Sequence, residues 1–277
     1  PRGQDVLKWY ETFIKICTDH ALSSQPTACK AKKVLAGKMR GLWTKANAFD
    51  ALENTVSAIR ETQSWNEAWI SSNSILKFDS KGMPKDILER LHALREALKP
   101  NDLENLARTY ALTDQHFLWD LEDDFDDEEE DASKGFRRAE EKTREVGSML
   151  VQDEATLDKL LPELVSTHNS RIYNFGQGLG NGCSDKRALW QKLHRQVVDT
   201  PEDKRHINLL CGFLSICAKD EPDTHDKILD EILYDDVLGR WLPIFQTTSQ
   251  IDQKALKRLH DSLKRNKVDV GEYSHIA

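Results

Sequence analysis

The chain has 277 residues, 39% of them apolar and 31% charged, with a formal net charge of −8. An acidic balance of this size does not favour nucleic acid as a partner of the whole chain. No apolar run approaches the roughly 20 residues that a membrane span needs, and no secretory leader is visible.

Disorder is the competing reading of so charged a chain, but seven Trp and repeated apolar stripes argue against it. The five cysteines at 17, 29, 183, 211 and 217 are odd in number and form no CxxC pair. They fit the reduced thiols of a cytoplasmic protein. The first residue is Pro1, and the last residues, Tyr273-Ser-His-Ile-Ala277, read as a helix just begun. The expectation is a fragment of a larger protein.

The first helix is predicted over residues 5–19, with Val6, Tyr10, Phe13, Ile14 and Cys17 on one face. Ser23-Ser-Gln-Pro26 breaks it, and residues 27–44 repeat the pattern with Val34, Leu35, Leu42 and Trp43. This opening is locally basic through Lys30, Lys32, Lys33, Lys38 and Arg40, which reads as a solvated or ion-paired face rather than a phosphate site. Phe49, Leu52, Val56 and Ile59 follow at helical spacing. Ser64-x-x-Glu67 has the pattern of a capping box and opens a helix carrying Trp65, Trp69 and Leu76. Gly82-Met-Pro84 is a turn, after which Leu88, Leu91 and Leu98, then Leu103, Leu106 and Tyr110, mark two more helices. Residues 46–112 thus hold four helices in two hairpins, with loops short enough to force antiparallel neighbours.

Residues 120–131 contain ten acids in twelve positions. A calcium loop needs Gly at its sixth position for the sharp turn, and Phe125 stands there. A solvated acidic loop over 120–132 is the expectation, dividing N-terminal hairpins at 1–119 from a helical-repeat segment at 133–277.

Beyond it, a helix is expected over about 133–151, then one through Leu157, Leu160, Leu161 and Leu164 that Pro162 bends or starts. Gly176, Gly178, Gly180 and Gly182 alternate. They fail GxGxxG on spacing, follow no strand, and are not followed by Gly-Lys-Ser/Thr. Ile172, Phe175, Gly176, Leu179 and Gly180 share a helical face, so Gly176 and Gly180 are read as points of close helix approach and Gly182 as the helix end. Glycine costs about 1 kcal/mol inside a helix, which close packing must offset. Leu189, Leu193 and Val197 form the next helix with Trp190 beside them. Thr200-Pro201 is read as the start of another, with Ile207, Leu210, Cys211, Leu214 and Cys217 on its stripe. Gly178-Leu179 aligns with Gly212-Phe213, 34 residues on, a period that fits helical hairpins. Leu238, Trp241, Leu242 and Phe245 predict a further helix, and Ser249-x-x-Asp252 caps the last.

The nine histidines form no HExxH or HxH pair, and no GxSxG elbow occurs. Cys17 and His20 lie one helical turn apart but lack an orienting third group. No cofactor, metal ligand or catalytic residue is identified.

The segments Leu157 to Leu164 with Phe175-Gly-Gln-Gly-Leu179 and Leu189-Trp190, Phe213 with Ile228 to Leu233 and Leu238, and Lys254-Ala-Leu-Lys-Arg-Leu259 with Tyr273 share a rhythm. It resembles the C-terminal helical-repeat region of large bacterial STAND-type NTPases, including the AVAST antiphage proteins. The resemblance implies an all-α, HEAT/TPR-like helical-hairpin solenoid that senses a foreign protein, while chemistry resides in modules absent here. On that reading the chain is not an enzyme and its partner is a protein. Trp65, Trp69, Trp119, Trp190 and Trp241 are the candidate anchors, with core packing as the competing role for each. The rival readings are a scaffold or oligomerisation segment and a nucleotide-binding or hydrolytic helical domain using Gly176–Gly182.

Overall fold

The computed structural model describes residues 2–113, 132–265 and 268–276. Among them every regular element is a helix and there is no strand. The acidic run at 120–131, with its cation question, lies outside the described residues. Two compact units are present, Pro1–Thr109 with Gln115–Ala139, and Tyr110–Asp114 with Glu140–Ala277. Each is considered by itself.

The first unit contains α1 (Arg2–Ala21), α2 (Ala28–Thr44), α3 (Phe49–Arg60), α4 (Asn66–Asp79), α5 (Lys85–Leu98) and the short α6 (Leu103–Ala107). Helix α2 lies against α1 and α4, and α3 lies against α1 and α5. Its core is built around Leu35, Met39, Trp43, Leu52, Trp65 and Trp69, all buried. Polar links fix the helix pairs. Arg90 on α5 binds Glu53 and Asp50 on α3, which together hold its pKa above the usual guanidinium range. Arg40 on α2 binds Asp79 on α4 at 2.6 Å.

The capping box at Ser64 does not form. Helix α4 begins at Asn66 without a side-chain cap, and the Ser64 hydroxyl donates instead to Asn105 Oδ1 at 2.5 Å. Tertiary demand for a tie to α6 outweighs the local cap.

Two glycines of α2 have no such purpose. A Cβ on Gly37 or Gly41 would meet nothing within 4 Å. Alanine at each should raise stability by about 1 kcal/mol through helix propensity alone. A urea midpoint that fell in Gly37→Ala would contradict this.

The second unit takes up most of α7 (Ala132–Leu150) and continues with α8 (Glu154–Leu164), α9 (Arg171–Gly182), α10 (Lys186–Asp199), α11 (Asn208–Asp220), α12 (Pro222–Tyr234), α13 (Leu242–Gln246) and α14 (Gln253–Arg265). Aspartate caps recur. Asp153, Asp185 and Asp252 each accept a backbone N–H three residues on, satisfying donors that the first helical turn leaves open. Pro162 sits in the last turn of α8 and neither starts it nor divides it. Thr200 does not open α11; its hydroxyl donates back to the Gln196 carbonyl at 2.8 Å. A 3-10 turn at Glu202–Lys204 intervenes, and α11 starts only at Asn208. The helix expected through Leu238 to Phe245 is broken at its start into a 3-10 turn, Gly239–Trp241, before α13.

Gly176 and Gly180 pack closely as the sequence suggests, Gly180 against the Ile216 side chain, and Gly178, off the expected face, makes a further backbone contact. A Cβ on Gly178 would lie 2.1 Å from the Arg144 carbonyl oxygen of α7, and one on Gly176 would lie 2.1 Å from that of Leu209 on α11. From the other side, a Cβ on Gly212 of α11 would lie 1.9 Å from the Tyr173 carbonyl oxygen of α9. Helix α9 is therefore clasped backbone to backbone between α7 and α11. Side-chain packing normally keeps helix axes 8–10 Å apart, so only glycine permits this contact.

Candidate interaction surface

Helix α1 divides its apolar residues between two faces. Ile14, Cys17 and Ala21 are buried against the first unit. Val6, Trp9 and Ile16 are not: they are 52%, 62% and 53% exposed. Phe13, half-buried, stacks on Trp9 with ring centroids 5.9 Å apart and planes inclined by 10°. Trp9 also meets Tyr10 edge-on at 5.1 Å. Val6, Trp9, Phe13 and Ile16 are spaced by three, four and three residues, so they form one stripe about 15 Å long on the helix surface. Asp5 in the first turn and His20 in the last suit the helix dipole.

The sequence-derived face through Val6 and Phe13 is thus corrected. Two adjacent stripes run along α1, one buried and one exposed. A spacing count starting at Trp9 would have separated them. Cys17 is held in the buried stripe, where desolvation raises its thiol pKa, while His20 is exposed. The thiol is in the inert class rather than the activated one.

The tryptophans named as anchors are placed differently. Trp65, Trp69 and Trp190 are core residues, so their rings offer no surface to a partner. The size that suits Trp to an interface suits it equally to a core. Trp241 is half-buried, with the Arg240 guanidinium 4.0 Å above its ring. Trp119 lies outside the described residues. Trp9, absent from that set, is the exposed tryptophan among the described residues.

The second unit presents charge instead. Successive even-numbered helices are bridged by ion pairs. Lys192 of α10 reaches Glu154 and Asp158 of α8 at 2.7 and 2.8 Å. Arg187 of α10 binds Glu231 of α12. Arg258 of α14 binds Asp230 and Asp226 of α12 at 2.6 and 2.9 Å. Burial opposes ionisation of Asp226, but Lys254 and Arg258 outweigh it and lower its pKa.

A groove of about 440 Å³ between α10 and α12 contains a His–Asp pair. His194 Nε2 and Asp235 Oδ2 are 2.7 Å apart, and Asp235 Oδ1 accepts the N–H groups of Val237 and Leu238. Desolvation works against the carboxylate, yet these bonds and the imidazole hold its pKa below the usual range. The groove is lined by no Ser, Thr or Cys, so a triad nucleophile is not at hand. Among the described residues, no three of His, Cys, Asp and Glu converge as metal ligands. At Gly176, Gly178 and Gly182 the nearest neighbours are carbonyl oxygens of Leu209, Arg144 and Ser148. Such oxygens repel a phosphate, whereas a phosphate loop offers N–H groups.

No family model, curated protein or solved structure matches this chain.

Proposed function

We propose that the chain is a protein-binding segment built from stacked helical hairpins, a HEAT/TPR-like solenoid, and that recognition rather than catalysis is its work. The observation that carries this reading is the exposed α1 stripe centred on Trp9. A stacked Trp–Phe pair beside exposed Val and Ile is the composition of an interface centre, where large apolar side chains await a partner that removes them from water. The solenoid reading is supported by the recurrence of a glycine contact between α7 and α9 and again between α9 and α11. Stacked repeats of this kind contact only their neighbours and leave a long free surface. The resemblance to STAND-type sensor repeats extends the reading to a foreign protein as ligand, in a larger protein whose other modules act on the signal.

A pull-down from phage-infected and uninfected bacterial lysate, with wild type and Phe13→Glu run in parallel, tests it. The expected result is a protein retained by wild type and lost in the variant. Retention of the same proteins by both, or of none by either, would remove α1 as the recognition surface.

A further inference from the structure

We propose that His168 and His206 form a binding site for a divalent transition-metal ion such as zinc. The two residues lie in separate connections of the second unit, His168 between α8 and α9 and His206 shortly before α11. Their ring centroids are 4.9 Å apart and their planes are inclined by 42°. Two imidazoles that share one zinc, each nitrogen about 2.1 Å from it in tetrahedral geometry, have ring centres about 5 Å apart. The spacing of this pair is therefore that of two ligands on one ion, and the exposed His168 ring has room to turn a nitrogen towards the shared point.

The backbone holds this spacing without help from an ion. The His206 N–H donates to the Val165 carbonyl at 2.9 Å, and Asn208 Nδ2 donates to the Asn169 carbonyl at 3.4 Å. Asn169 is itself fixed, donating to the Ala111 carbonyl and accepting the Ile172 N–H. Arg205, beside His206, donates to the carbonyls of Thr200 and Val198. Both histidines thus sit on connections tied to each other, as a preformed ligand pair requires. The imidazoles are also in the state that binds metal. Among the described residues no protein group hydrogen-bonds either ring. Desolvation and the neighbouring His168 lower the pKa of the half-buried His206, so its ring is neutral at pH 7 and keeps a lone pair for a metal. Imidazole suits zinc, copper and nickel. No third His, Cys, Asp or Glu joins the pair among the described residues. Water fills the remaining positions, and the ion is held more weakly than in a four-ligand structural site.

The test is a zinc titration of the full chain, labelled with heavy nitrogen in its histidine rings and followed by NMR at pH 7. In wild type the ring signals of His168 and His206 should shift together, at lower zinc than those of the other histidines. His168→Gln should raise the zinc needed to shift His206 at least about tenfold, since one of two ligands is lost. His206→Gln, read at His168, should give the same result from the other side. His92→Gln, exposed on α5 of the first unit, should leave both responses unchanged. Circular dichroism of each variant checks that the helices remain.

A pair that responds no earlier than the other histidines overturns the proposal. So does a His206 response unchanged in His168→Gln, which would make each ring a separate, adventitious ligand. Zinc taken up by the exposed Cys29 with both rings unmoved would overturn it as well. None of these outcomes bears on the lysate experiment, because the site shares no residue with the α1 stripe.

Discussion

Alanine at position 212 should leave the second unit at least about 3 kcal/mol less stable than wild type, or unfold it. The added Cβ would stand 1.9 Å from the Tyr173 carbonyl oxygen and 2.8 Å from its carbon. Both are backbone atoms in the middle of the α9–α11 contact, so no rotamer change relieves the overlap. The helices must separate by more than 1 Å or the contact must break. Separation opens gaps along α9 and α11 at Leu209, Phe213 and Leu179, all fully buried, and forfeits their dispersion contacts. Gly178→Ala should act alike through the Arg144 carbonyl oxygen, 2.1 Å away. Urea denaturation with hydrogen-exchange readout on α9 and α11 would measure the loss. The informative contrast is Gly37→Ala, the same chemical change inside a helix, for which a gain is expected. A loss below about 1 kcal/mol at position 212 would mean that the two helices are not in backbone contact.

Acid should weaken the same unit in a window set by one histidine. His225 is buried, 3% exposed, at the start of α12, and its ring nitrogen Nε2 lies 2.9 Å from Thr248 Oγ1. The Thr248 hydroxyl donates its proton to the Phe245 carbonyl at 2.7 Å. It therefore accepts from the ring, and Nε2 carries the hydrogen of a neutral imidazole. Burial pushes the His225 pKa down to about 4, with Asp226 opposing and Arg258 adding to the effect. In the unfolded chain it returns to the ordinary 6.5.

Between these values the unfolded state binds a proton that the folded state refuses, so stability rises with pH. The contribution is full above about pH 6.5, falls as pH drops towards 4, and changes no further below that. It amounts to at most about 3 kcal/mol. The carboxylates of Asp226 and Asp235, whose pKa values are lowered, lose their contributions at lower pH and do not confuse the window. His206, also lowered by desolvation and by neighbouring His168, adds a smaller slope of the same sign. Hydrogen exchange of the α12 amides at pH 7 and pH 5 should show the loss, and His225→Gln should remove most of the difference. An unchanged pH dependence in that variant would assign the effect to other groups.

The helical register was legible from residue order alone, because burying a stripe every 3.6 residues leaves a period that survives without coordinates. The boundaries of α2 and α7 follow from it to within a residue, and the stripes through Leu157 to Leu164 and Leu189 to Val197 fall inside α8 and α10. The close approach at Gly176 was legible for a related reason. Glycines are costly inside a helix, and their alternation on an apolar face has few uses other than contact.

What the order of residues could not reveal was which of two equivalent partners a group takes. Ser64 and Thr200 have the pattern of caps, yet one binds Asn105 and the other closes the helix behind it. Trp65, Trp69, Trp190 and Trp9 all lie on or beside apolar stripes, and the first three are core while the last faces solvent. A periodic stripe determines that a helix has an apolar side. Whether that side is covered depends on how many neighbours surround the helix, and α1, with α2 and α3 along one flank, has more apolar surface than they can cover. The number and direction of neighbours arise only when distant segments assemble, which is why the glycine contacts could be read in advance and the exposed tryptophan could not.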